Sequence, residues 1–211
     1  MKNALLIIDV QNDFCPGGAL AVAEGDMIIP PLNVLMEKYG DAFVKIIATQ
    51  DWHPKGHVSF ASTHGKNPYD IIDAPGGRQV LWPDHCVRGT KGAAIHTSLS
   101  MSRVDCIVRK GANPGIDSYS AFNENDRTTK TGLRGYLDDL DVVRVFIAGL
   151  AFDYCVYFSA IDAAAAGFQT FVIEDLTRAV DIPPGYKKTV RDAMLAKGIR
   201  LTVSDKIKQN L

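Results

Sequence analysis

Short unbroken runs of branched apolar residues, each closing on a residue able to do chemistry, constrain this chain more than any other feature. The first is 4–10 (ALLIIDV). A run with no polar alternation is what a strand covered on both faces requires, the condition of a parallel sheet packed between helices. Similar runs predict strands at 43–49 (FVKIIAT), 105–110 (DCIVRK), 142–149 (VVRVFIAG), 168–174 and 201–204. Helical stretches fall between them. One starts near Ile29, where Pro30 and Pro31 suit a first turn, and stops at Gly40; a short one covers 132–140. Another is capped by Asp153, runs through the Ala-rich 161–166 and closes on Gly167. The last places Tyr186, Val190, Ala193 and Met194 on one face and ends at Gly198. Strands alternating with helices imply an α/β fold with a mainly parallel sheet, and no repeat or linker divides 1–211, so a single domain is expected.

Lys and Arg number 23 against 24 Asp and Glu, a net charge of −1. Without a positive field there is little to attract a phosphate backbone or an anionic bilayer, so no nucleic-acid and no membrane partner is expected. The apolar runs fall far short of the roughly 20 residues that span a bilayer, and no signal peptide opens the sequence. A cytoplasmic protein is the expectation. Cys15, Cys86, Cys106 and Cys155 contain no C-x-x-C pair and read as four free thiols.

All five histidines fall between His53 and His96, inside a long stretch (50–102) rich in Pro, Gly and aromatics and poor in periodicity. Such stretches in compact folds are usually functional. Ligands of open parallel sheets gather beyond the carboxyl ends of the strands. There the sequence places Asp9, Asp51 with His53, Lys110 and Cys155. Taken singly, each has an ordinary structural reading: a turn carboxylate, a hydrogen-bonded turn, a solvated lysine, a small buried thiol. Taken together, Asp9 suits a general base raised by desolvation, and Lys110 can hold a carboxylate and a thiolate in register. Cys155, near the start of the helix capped by Asp153, is placed where backbone N–H groups stabilise a thiolate. Asp51 and His53 share one side of an extended segment, and His85 lies further along the same stretch; His57 and Cys86 compete as ligands. Two histidines and a carboxylate leave coordination positions open, as catalytic metal sites do. Phe14, Trp82 and Tyr119 lie in loops and suit the walls of a pocket for a flat molecule.

IIDVQNDFCPGGAL at 7–20, TQDWHPKGHVSFASTHG at 49–65, WPDHCV at 82–87, RKG at 109–111, DSYSAF at 117–122 and GLAFDYCV at 149–156 together resemble the nicotinamidases, which belong to the isochorismatase-like cysteine hydrolases. The resemblance implies a three-layer α/β/α sandwich with six strands in the order 3-2-1-4-5-6. It implies a catalytic triad of Asp9, Lys110 and Cys155. A divalent metal would sit on Asp51, His53 and His85 with waters completing its shell: zinc by ligand type, with iron(II) or manganese(II) as alternatives. An oxyanion hole falls on the N–H groups of Ala151 and Cys155, across a cis Leu150-Ala151 bond, and Phe14 and Trp82 match ring-sandwiching aromatics. The implied reaction is hydrolysis of nicotinamide to nicotinate and ammonia through a cysteine thioester, with pyrazinamide as a second substrate and the metal orienting the ring through its nitrogen. Where the family commonly has Thr, this chain has Phe152, which bears on packing beside the oxyanion hole. Three other readings stand beside this one. The first is an amidohydrolase of the same superfamily acting on a non-aromatic amide or carbamoyl group, and the second a metal-hydroxide mechanism with Cys155 as bystander. The third, a nucleotide-binding module, lacks a G-x-G-x-x-G turn after the first strand. The sequence leaves homo-oligomerisation open.

Overall fold

Every branched apolar run identified above forms a strand of one sheet. The protein is described here by a computed structural model, which covers residues 1–74 and 77–211. In chain order the elements are β1 (Lys2–Ile8), α1 (Ile29–Tyr39), β2 (Lys45–Asp51), β3 (Ile71–Ala74), β4 (Gly77–Val80), β5 (Cys106–Lys110), α2 (Leu133–Asp139), β6 (Val142–Leu150), α3 (Tyr157–Ala165), β7 (Gln169–Arg178), α4 (Tyr186–Ala196) and β8 (Arg200–Thr202). The six-stranded sheet runs β5-β2-β1-β6-β7-β8, and all its pairings are parallel. Counting only these strands, the order is the expected 3-2-1-4-5-6. No helix among the described residues is long and apolar enough to cross a membrane.

β1 is buried on both faces, and its side chains feed two cores. Leu5 and Ile7 pack with Ile29, Leu32 and Met36 of α1, while Ala4, Leu6 and Ile8 pack with Ala160 and Ala163 of α3 and Val190 and Met194 of α4. Period-2 alternation of the strand thus explains why helices lie on both sides. The winding direction reverses between β1 and β6, which are hydrogen-bonded neighbours. β1 leaves the sheet abruptly, because Asp9 adopts a left-handed φ of 46°. Opposite it, Gly149 has φ +115°, and a Cβ there would collide with the Ile8 carbonyl oxygen. A glycine lets the two strand ends close together at the switch point, where ligand sites form.

Several boundaries differ from expectation for identifiable reasons. β1 stops two residues early at the Asp9 turn, and β2 runs on to Asp51, which is therefore a strand residue and not a loop residue. β7 continues to Arg178 across a register irregularity, a feature without a compositional signal. β3 and β4 form a separate antiparallel hairpin inside the stretch expected to be irregular. Their half-exposed residues lack the apolar run of the main sheet.

Candidate active site

The last residues of β2 and β5 are direct neighbours, Asp51 opposite Lys110, and the turn after β6 stands next to the end of β1. Lys110 is 1% exposed, so its ammonium must find partners within the protein. Nζ lies 2.5 Å from Asp51 Oδ1, 2.9 Å from Asp9 Oδ2, 2.8 Å from the Ser118 carbonyl oxygen and 3.5 Å from Cys155 Sγ. Asp9 Oδ1 accepts from the Thr49 hydroxyl at 2.6 Å, and that hydroxyl accepts from the Asp9 N–H at 3.1 Å. Asp9 Oδ2, although close to the ammonium, receives no well-directed hydrogen bond from any described residue. Acceptor atoms of Asp9, Asp51 and Cys155 lie within 4.8 Å of one another.

Burial opposes the charge on Lys110, but Asp51 and Asp9 outweigh it and hold the ammonium well above the usual lysine range. Burial pushes Asp9 up, an effect that Lys110 only partly offsets. Burial also pushes the Cys155 thiol well above its ordinary value; Lys110 opposes this, and the Asp9 and Asp51 carboxylates reinforce it. The sequence placed Cys155 where a thiolate is stabilised; burial works against that expectation and favours the thiol, with a carboxylate of raised proton affinity beside it.

The local backbone corrects the reason for that expectation as well. Cys155 sits in a π-helical turn, Phe152–Val156, one turn ahead of α3, and not at the second position of a capped α-helix. Asp153 does not cap. Its carboxylate accepts from the Val180 and Asp181 N–H groups at 3.0 and 2.7 Å, and the Tyr154 hydroxyl donates to the Ile182 carbonyl at 2.8 Å. All three bonds fasten the turn to the segment after β7. The Leu150-Ala151 bond is cis, as expected. The Ala151 carbonyl accepts from the N–H groups of Tyr154 and Val156, each at 3.1 Å, which leaves the Cys155 N–H between them outside that pairing. Phe152 is 1% exposed and packs in the same core as Ile8, Ile147 and Val156, so its ring does not narrow the cleft.

His53 and His85 meet because the segments after β2 and after β4 are stitched together. The His53 N–H donates to the Cys86 carbonyl at 3.0 Å, and the Arg88 N–H to the His53 carbonyl at 2.9 Å. His53 Nδ1 lies 2.9 Å from the Gly111 carbonyl oxygen, and His85 Nδ1 lies 2.8 Å from that of Pro83. Carbonyls only accept, so each Nδ1 carries a proton and each neutral ring turns its Nε2 lone pair elsewhere. The two Nε2 atoms stand 3.5 and 4.0 Å from Asp51 Oδ2. Metal–ligand bonds of roughly 2.1 Å at tetrahedral or octahedral angles separate donors by roughly 3–3.5 Å. His53 Nε2 is buried without a hydrogen-bond partner among the described residues, which an incoming cation would supply. Gly111 belongs to the same device: its φ is +64° and a Cβ would strike the His53 ring. Burial, reinforced by His53, pushes His85 down to about 4, keeping its lone pair available. At His53 burial is outweighed by Asp51, which pushes the imidazole up, so a proton and a cation compete for the same gap.

Neither rival ligand joins these three donors. His57 places Nδ1 2.7 Å from Ser59 Oγ and Nε2 3.2 Å from the Ile116 carbonyl, and its ring stacks on His53 at 4.1 Å between centroids. It buttresses the site. Cys86 is not among the donors that converge with Asp51, His53 and His85.

A narrow cleft opens on Cys155, Ala151, Asp51 and His85, walled by Phe14, Trp82, Tyr119 and Tyr154. Trp82 meets Tyr154 edge-on at 4.8 Å and donates from Nε1 to the Tyr119 hydroxyl at 3.1 Å. Aromatic edges around a thiol and a trio of residues that could hold a metal ion suit a flat ring carrying a reactive carbonyl. Residues 3–202 match the Isochorismatase domain family. The chain belongs to the isochorismatase family. It is 50% identical over 198 residues to a nicotinamidase of Acinetobacter baylyi, covering 93% of this chain and 90% of that protein. A solved nicotinamidase/pyrazinamidase of Acinetobacter baumanii superposes with a TM-score of 0.93 at 44% identity, covering 98% of each chain. A pyrazinamidase of Pyrococcus horikoshii in complex with zinc superposes with a TM-score of 0.79 at 33% identity, covering 96% of this chain and 99% of that one.

Within this family architecture some contributors went unseen in the sequence. Tyr154, Asp117, Leu20 and Val180 also line the cleft. Tyr154 adjoins Cys155 and had a positional signal. Thr49 and Ser118, which fix Asp9 and Lys110, had none, since each acts through one oxygen, placed by the β2 register for Thr49 and by the loop after β5 for Ser118.

Proposed function

We propose that this chain hydrolyses nicotinamide to nicotinate and ammonia, and pyrazinamide likewise, through a thioester on Cys155. The observation that carries the proposal is a buried thiol, Cys155, lining an aromatic cleft, with the fully buried Asp9 carboxylate and Lys110 ammonium gathered behind it. Asp9 takes the thiol proton as sulfur attacks the carboxamide carbon, so a thiolate is needed only during attack. The N–H groups of Ala151 and Cys155 receive the developing oxyanion. As the C–N bond breaks, the proton on Asp9 passes to the leaving nitrogen and ammonia departs. Asp9 then removes a proton from water, the resulting hydroxide attacks the thioester, and the departing sulfur recovers a proton. Lys110 stays charged throughout and keeps the two carboxylates from repelling each other and the sulfur.

Asp51, His53 and His85 would hold the divalent ion, which when bound supplies a Lewis-acid contact for the ring nitrogen. Zinc suits the nitrogen-and-oxygen donor set, with iron(II) and manganese(II) compatible. The aromatic walls orient the ring so that its carboxamide faces Cys155. The same reading makes 1–211 one hydrolase domain working in the cytoplasm.

Ammonia release from a panel of amides by zinc-loaded protein tests this. Nicotinamide and pyrazinamide should turn over, and Cys155→Ala should abolish both while leaving metal content intact. Benzamide, which has the ring and the amide but no ring nitrogen, should fall by at least about a hundredfold in kcat/KM, ~2.7 kcal/mol. Substantial turnover by Cys155→Ala would replace the thioester with metal-hydroxide chemistry, and equal rates for benzamide and nicotinamide would remove the metal from substrate orientation.

A further inference from the structure

We infer that Gln11 is a positioning residue for the metal-binding trio, acting as a side-chain substitute for the strand pairing that β1 abandons when it turns away at Asp9. The inference rests on the reading of Asp51, His53 and His85 as metal ligands.

Up to Ile7 and Ala48, β1 and β2 pair main chain to main chain. The left-handed turn at Asp9 then takes β1 out of the ladder, while β2 continues to Asp51. In a parallel sheet a residue directs its N–H and C=O to the same neighbouring strand. Asp51 is the last residue of β2, and both of its peptide groups look toward the side from which β1 has gone. Gln11 fills that place. Its Oε1 accepts from the Asp51 N–H at 2.8 Å and its Nε2 donates to the Asp51 carbonyl at 2.8 Å, a two-point amide pairing. The second Nε2 hydrogen goes to the Ala93 carbonyl at 2.9 Å. Gln11 is fully buried, and the Asp51 and Ala93 carbonyls together use both of its side-chain N–H hydrogens.

The residue held in this way is the one shared by the two halves of the site. Asp51 Oδ1 meets Lys110, and Oδ2 faces His53 and His85. A rotation of the Asp51 peptide would therefore move a metal donor and a triad contact together. Gln11 touches neither group, so its effect passes through the Asp51 backbone. Partners of this kind around a metal site typically alter affinity by about 10–100-fold.

A nearby glutamine supplies the control. Gln50 also donates to the Ala93 carbonyl, at 2.8 Å, but its other contact is Arg109 and not the Asp51 peptide. Metal-free wild type, Gln11→Met, Gln11→Glu and Gln50→Met would be titrated with zinc against a chelating indicator, with thermal melts of the metal-free proteins alongside. Wild-type binding establishes the trio as a metal site; its absence would remove that reading itself, a separate outcome. Gln11→Met should weaken zinc by about tenfold or more, and kcat should recover as zinc is raised, a rescue that general loss of structure would not show. Gln11→Glu puts an acceptor against two carbonyls and should weaken zinc at least as much, which keeps the test decisive if the Met variant fails to fold. Gln50→Met should bind zinc as wild type does. Wild-type zinc affinity in both Gln11 variants, or equal losses in the Gln11 and Gln50 variants, would overturn the inference.

Discussion

A lysine–aspartate pair stands at each end of the ladder shared by β2 and β5, with the residue types exchanged and Asp105 just ahead of β5. At the amino ends, Lys45 and Asp105 meet at 2.7 Å, with side chains 31% and 33% exposed. At the carboxyl ends, Asp51 and Lys110 meet at 2.5 Å, with side chains 5% and 0% exposed. The geometry is similar and the surroundings are not. Water screens the first pair, so it is worth a fraction of a kcal/mol, about what an exposed ion pair contributes. The second pair has lost its water and depends on the protein: Lys110 also meets Asp9 and Ser118, while Asp51 Oδ2 faces the His53 and His85 nitrogens across a gap suited to a cation. A charge pair becomes chemical machinery here because the switch point buries it, not because of what its residues are.

The sharpest way to break this comparison is to remove the buried cation. Lys110→Met leaves Asp9 and Asp51 as neighbouring buried carboxylates, and one of them must take up a proton. Activity on nicotinamide should fall at least about a thousandfold, ~4 kcal/mol in barrier, and stability by about 3–5 kcal/mol. Ammonia assays and thermal melts read both. Near-normal turnover would reduce the buried pair to the status of the exposed one.

A second, smaller effect separates ligands from neighbours within the buried end. His85→Ala should lose most bound metal, since one of three protein donors goes. His57→Ala should retain it, because both of its ring nitrogens already face Ser59 and Ile116. Elemental analysis of the purified variants decides between them. Metal loss from His57→Ala would move that ring from buttress to ligand.

How far the sequence carried this picture follows from the same contrast. The strands and the positions of Asp9, Lys110 and Cys155 at their ends were legible because apolar runs mark where buried strands stop, whereas the strand order came from the family resemblance. The grouping of Asp51, His53 and His85 was legible as residue types in a string, and its distances belong to the structure. The dual role of Asp51 was not legible, since it depends on β2 running two residues past its apolar run and on Lys110 sitting in register with it. Asp153 was misread for a physical reason. An Asp before a helical run is ordinarily a cap, and only the packing of 180–182 against the turn reveals a different set of N–H partners. The β3–β4 hairpin escaped notice because its stability comes from contacts such as Gln79 with Asp117 and not from its own pattern.

The smallest expected effect lies at the exposed end, and its sign can be fixed in advance. Burial tends to raise Asp105, but the Ile46 N–H, at 2.8 Å from Oδ2, and the Lys45 ammonium outweigh it and hold the carboxyl below its ordinary 3.8. A carboxyl depressed in the folded state contributes stability that is complete above its unfolded value and is lost as pH falls through the folded one. Asp105→Asn keeps an oxygen for Ile46 but sets a neutral amide against Lys45. At neutral pH and low salt it should cost roughly 0.5 kcal/mol, and moderate salt should shrink the difference. In acid below the folded value the two melting curves should converge, because both side chains are then uncharged. Turnover should match wild type at every pH, since nothing at this end touches the cleft. A loss of activity comparable to that of Lys110→Met would show that the two ends of the ladder are coupled, and the separation of a screened pair from a working one would have to be abandoned.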